Sequence, residues 1–81
     1  MKDAEELFKQ GLMAETTGRL REAMLLYQDA FEHGSLVAGY RLGISDGWGP
    51  QIMTRDAALV WLQRASDSGH VLAMALLARA M

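Results

Sequence analysis

At 81 residues the chain has room for one domain with a single core and not for two. Half of it is hydrophobic (51%), which excludes intrinsic disorder, and a net charge of -2 with both signs scattered leaves no basic stripe to meet a phosphate backbone, so nucleic acid is not an expected partner. Zero cysteines exclude disulfides, thiolate catalysis and cysteine-ligated zinc.

One proline against eight glycines, with few β-branched runs, favours helix nearly throughout. The opening MKDAEELFKQ is charged and lacks the apolar core of a signal peptide, which predicts a cytoplasmic protein. Asp3 with Glu6 three residues later is a capping-box pattern that starts a first helix, with Ala4, Leu7, Gly11 and Ala14 as its apolar stripe and Thr17-Gly18 as its end. A second helix is predicted from about Arg19 to His33, with Leu20, Ala23, Met24, Tyr27, Ala30 and Phe31 on its buried side and Gly34 as a left-handed stop. Ser35 caps a third helix over 36–45, and Gly47, Gly49 and Pro50 form a loop. Thr54 caps a fourth helix that Gly69 ends, and His70 to Ala80 makes a short fifth. The longest apolar run, VLAMALLA, is far short of the roughly 20 residues needed to cross a bilayer, so no membrane insertion is expected.

The segment AMLLYQDAFEHGSLVAGYRL (23–42) returns 35 residues later as ALVWLQRASDSGHVLAMALL (58–77). Ala23, Gln28, Ala30, Gly34, Ala38 and Leu42 match Ala58, Gln63, Ala65, Gly69, Ala73 and Leu77 outright. A period of this length marks a stacked array in which each unit leaves an apolar face for its neighbour to cover. The repeated alanines suit close helix approach. The chain therefore divides into one unit over about 3–34, a second over about 35–69 and part of a third over 70–81, within a single domain.

Little in the sequence speaks for chemistry. His33 and His70 lie on opposite sides of their glycines, and the same-helix carboxylate at ligand spacing is Asp29, one turn before His33, so neither a metal site nor an acid-base pair is expected. His33 instead suits a helix C-terminus, with Asp29 as its partner. Ser45-Asp46 beside a glycine loop has neither phosphate-loop spacing nor a partner base. Met13, Met24, Met53 and Met74 are spread over four segments and are expected to fill core gaps. No catalytic residue, metal or cofactor is predicted.

From Ala38 the pattern Ala38-x-x-x-Leu42-Gly43, a loop holding Gly47 and Gly49, then Ala58-x-x-Trp61-Leu62-x-x-Ala65-x-x-x-Gly69-His70-x-x-Ala73, resembles a Sel1-like repeat. The first unit, with Leu7, Gly11, Ala14, Ala23, Tyr27 and Ala30, is similar to the related tetratricopeptide repeat. The chain departs from the Sel1-like pattern at Asp46, where an aromatic is usual, and at Gln51, which replaces a glycine. The resemblance implies an all-α fold, a short right-handed α-solenoid of about five antiparallel helices: two helical hairpins plus a C-terminal helix. It also implies a noncatalytic adaptor that takes a peptide or protein surface on its concave face. By position that face would carry Glu5, Phe8, Leu12 and Glu15 in the first helix, Tyr40 and Ile44 in the third, and Trp48 beyond it. Phe8, Leu12, Tyr40 and Trp48 also suit core filling in so small a domain.

The fifth helix differs from its counterpart in a telling way. At the 35-residue offset Arg41 becomes Leu76, Gly39 becomes Met74 and Tyr40 becomes Ala75, so a face expected to be outward and polar turns apolar. A helix apolar all round is normally covered on all sides, and arrays need a polar cap at each end. Three arrangements would cover it: a further helix of a longer array, a second copy in a homodimer or higher oligomer through Val71, Leu72, Met74, Leu76 and Met81, or folding back within a monomer.

Overall fold

The helix ends are set by side chains of four different types. In the computed structural model, which describes residues 3–80, Asp3 accepts from the Glu6 amide at 2.8 Å and starts α1 (Ala4–Thr16). Ser35 accepts from the Ala38 amide at 3.3 Å and starts α3 (Leu36–Gly43), and Thr54 accepts from Ala57 at 3.2 Å and starts α4 (Arg55–Asp67). At the start of α5 (Val71–Ala80) the acceptor is the His70 Nδ1, 3.2 Å from the Ala73 amide. Only α2 (Leu20–Glu32) begins without a side-chain cap; Arg19 just before it pairs instead with Glu22 at 3.0 Å.

The helix C-termini repeat one geometry. Gly34 and Gly69 adopt φ of +108° and +101°, a region that costs a residue with a Cβ, as Gly18 does after α1. The amide just beyond each glycine then reaches back five residues. Ser35 donates to the Ala30 carbonyl at 2.9 Å and His70 to Ala65 at 3.0 Å, two bonds whose donors and acceptors are each 35 residues apart, and Arg19 donates to Ala14 at 2.8 Å. These Schellman motifs satisfy carbonyls that would otherwise be orphaned and turn the chain back on itself.

Among the described residues there are five α-helices and no strand, and the main helix contacts are between sequence neighbours: α1 with α2, α2 with α3, α3 with α4, α4 with α5. The three matched alanine pairs are matched in burial as well. Ala23 and Ala58, Ala30 and Ala65, and Ala38 and Ala73 are all buried, and Tyr27 occupies the place that Leu62 fills in the second unit. One core cluster gathers Leu7, Ala14, Ala23, Tyr27, Ala30, Ala38, Leu42, Met53 and Ala58; a second joins Leu62, Ala65 and Ala73. Between them a staple crosses from α2 to α4: Phe31 meets the Trp61 ring edge-on at 5.8 Å, and Arg64 lies over both rings while pairing with Glu32 at 3.2 Å.

Three expectations need correction. The third helix ends at Gly43, not Ser45, because the buried Ser45 hydroxyl donates to the Leu42 carbonyl at 2.7 Å and takes an acceptor that another α-turn would use. The chain tightens instead into a 3-10 turn, Ser45–Trp48, that leads to Gly49 and buries Met53. Second, of the methionines expected to fill core gaps, Met53 does so and Met24 is half-buried, but Met13 and Met74 are exposed. Third, Tyr40 and Arg41 do not point freely outward: both are half-buried, and each meets a side chain from another element.

Candidate functional site

Tyr27 is the pivot of the site. Its ring is fully buried, and Gly11 of α1 makes room for it: a methyl on Gly11 would lie 2.5 Å from the ring. Phe8 flanks the ring at 5.6 Å and 37°, and Trp48 of the 3-10 turn flanks it at 6.3 Å and 33°. The Tyr27 hydroxyl donates to Glu15 Oε1 at 2.7 Å, and the Arg41 guanidinium approaches the same oxygen at 3.9 Å. Three helices are thus joined through one carboxylate. Burial pushes the Tyr27 hydroxyl well above its ordinary range, the hydrogen bond to Glu15 and the Glu15 charge add to this, and Arg41 opposes it in part. A phenol held so firmly protonated is an anchor and has no use as a base at neutral pH.

The residues expected on the concave face therefore separate. Phe8, Leu12 and Trp48 are half-buried against the first core, and Glu15 joins them through Tyr27. Tyr40 lies with the second core instead, stacked on the His70 ring at 5.1 Å and 20°. Glu5 is exposed and pairs with Lys9 at 3.4 Å, a surface pair of little energetic weight. The exposed Ile44 reaches the edge of a cleft of about 200 Å³ where α3 ends, α4 begins and α5 passes.

On α5, Val71, Leu72 and Met74 are 73%, 57% and 48% exposed, which leaves a bare apolar face. Leu76 is not on it: it is half-buried against the second core. Met81, also expected at an interface, lies outside the described residues.

Two roles escaped sequence reasoning. Tyr27 was placed in the core but not as the link between α1 and α3, since the lone sign of that link is a tyrosine among alanines. His70 was seen without its capping role, although a polar residue directly after a stop glycine and before an apolar run is a capping position. His33 meets its expected partner: Nδ1 lies 2.8 Å from the Asp29 carbonyl and 3.3 Å from its carboxylate. Among the described residues no group of three or more His, Cys, Asp or Glu is placed to hold a metal ion, and no helix is long and apolar enough to cross a membrane. No protein-family model, curated protein or solved structure matches the chain.

Proposed function

We propose that the protein is a noncatalytic helical-repeat interaction module, a short right-handed α-solenoid of two antiparallel hairpins and a further helix, that takes a peptide or protein segment on the side carrying Phe8, Leu12, Tyr40 and Trp48. The observation that supports this most is that each half-buried aromatic is held by another ring: Phe8 and Trp48 rest on the buried Tyr27 ring, and Tyr40, apart from them, rests on His70. Aromatics already held by packing lose little freedom when a partner covers their remaining surface, which is why they dominate binding energies. Selection of displayed random peptides on the full chain should enrich sequences that bind the parent and are lost, by tenfold or more, from Trp48→Ala and Tyr40→Ala variants of unchanged helicity. Peptides that ignore both substitutions would sink this reading.

A second reading has its own support in the bare face of α5: self-association through Val71, Leu72 and Met74. A ten-residue helix is about 15 Å long, and one of its faces offers far less than the roughly 800 Å² per partner of a stable dimer. Any such dimer is weak. Light scattering should show monomer mass at low micromolar protein, a rise toward dimer near millimolar, and monomer throughout for Leu72→Arg. Monomer mass for the parent at every concentration would exclude it.

A further inference from the structure

The cleft at the end of α3 has an apolar floor from Leu59 and Leu62 of α4 and Leu76 of α5, with the exposed Ile44 at its lip. Its volume of about 200 Å³ is below the roughly 300–1,000 Å³ of sites for cofactors and drug-sized ligands, but equals six or seven water volumes and so accommodates one large side chain. Asp46 of the 3-10 turn and Arg55 at the start of α4 line the same cleft. Both are exposed, and among the described residues neither makes an ion pair or a side-chain hydrogen bond. The larger cleft between α1 and α2 differs here, because its Arg19 and Glu22 are already bound to each other.

We propose that this cleft takes one leucine-like apolar side chain of a partner peptide, flanked on one side by a carboxylate that meets Arg55 and on the other by a cationic group that meets Asp46. The apolar floor supplies the contact area, and the two opposite charges fix the direction in which the peptide lies. This rests on the interaction-module reading and narrows it to a subsite and a ligand chemistry. It also gives Leu76 a role as the wall of the cleft, in place of one at a dimer interface.

The probes are acetylated and amidated tripeptides, Lys-Leu-Glu and Glu-Leu-Lys to cover both directions, with the same two carrying alanine at the centre. They are titrated to millimolar concentration into the full ¹⁵N-labelled chain. One of the leucine peptides should give saturable amide shifts at Gly43, Asp46, Arg55, Leu59 and Leu76, and its alanine form should bind about tenfold or more weakly. Arg55→Glu should weaken binding severalfold without harming the fold, since an acidic residue in the first turn of α4 suits the helix dipole. Absence of saturable shifts at those residues overturns the proposal. Shifts confined to Phe8, Leu12 and Trp48 also overturn it, while leaving the interaction module itself standing. Binding that needs leucine but is unchanged in both Arg55→Glu and Asp46→Lys overturns the assignment of the flanking groups.

Discussion

Tyr27→Ala is expected to leave much of the chain unfolded at 25 °C. Removing a fully buried aromatic typically costs about 3–5 kcal/mol, and a domain of this size has a total stability near the low end of about 5–15 kcal/mol. The loss is aggravated because Phe8 and Trp48 lose the ring they pack on and Glu15 loses its donor. Circular dichroism at 222 nm during thermal and urea unfolding measures it. Tyr27→Phe keeps the ring and should cost about 1.5–3 kcal/mol, the worth of a hydrogen bond to a charged acceptor. The two variants separate packing from the hydrogen bond; equal losses would mean that the ring contacts contribute little. The hydroxyl also predicts alkaline behaviour. In the folded chain it stays protonated above the ordinary tyrosine range, whereas in the unfolded chain it ionises near pH 10. Above that pH the unfolded state binds fewer protons than the folded one, so stability should fall with rising pH at up to about 1.4 kcal/mol per unit. Tyr27→Phe removes that slope. A parent whose stability is flat above pH 10, in a Tyr40→Phe background, would refute the buried, protonated phenol.

Gly43→Ala should loosen α3 from α4. The added methyl would lie 2.7 Å from Leu62 Cδ1, 2.9 Å from its Cβ and 3.1 Å from its Cα. A flexible tip can move aside, but the Leu62 Cα belongs to the helix itself, so the two helices must separate. Overpacking of this kind costs about 1–3 kcal/mol, and because Gly43 is the last residue of α3, alanine's better propensity returns only a fraction of the roughly 1 kcal/mol it is worth in a helix interior. The net loss should be about 1–2 kcal/mol, or roughly 5–15 °C in melting temperature for a domain of this length. The contrast is Gly47→Ala, whose methyl meets nothing within 4 Å and whose effect should be small. If Gly43→Ala melts with the parent, α3 and α4 are not in the close contact described.

How much of this was legible in the sequence follows from what periodicity can carry. The caps Asp3, Ser35 and Thr54 and the stops Gly34 and Gly69 act within a few residues of themselves, so their chemistry is local and was read correctly. The 35-residue repeat likewise predicts that Ala30 and Ala65 are buried alike. What periodicity omits is the partner. The resemblance implies a face for Phe8, Leu12, Glu15 and Trp48, but neither it nor the periodicity shows that Phe8, Glu15 and Trp48 converge on Tyr27, nor that Tyr40 leaves them to stack on His70. Leu76 fails for the same reason: it is apolar where Arg41 is polar, but the wall that covers it comes from another helix. The early end of α3 was missed because it depends on one hydroxyl, that of Ser45, taking a carbonyl three residues back.

The two histidine contacts impose a chemical asymmetry between the rings. A carbonyl can only accept, so at His33 the Nδ1 that meets the Asp29 oxygen must carry a hydrogen. An amide can only donate, so at His70 the Nδ1 that meets the Ala73 N–H must present its lone pair, and the ring's proton is on Nε2. In their neutral forms the two imidazoles are therefore opposite tautomers. Ring ¹⁵N resonances distinguish a pyrrole-like from a pyridine-like nitrogen directly, which makes His70 Nδ1 a single-atom reporter on the first turn of α5.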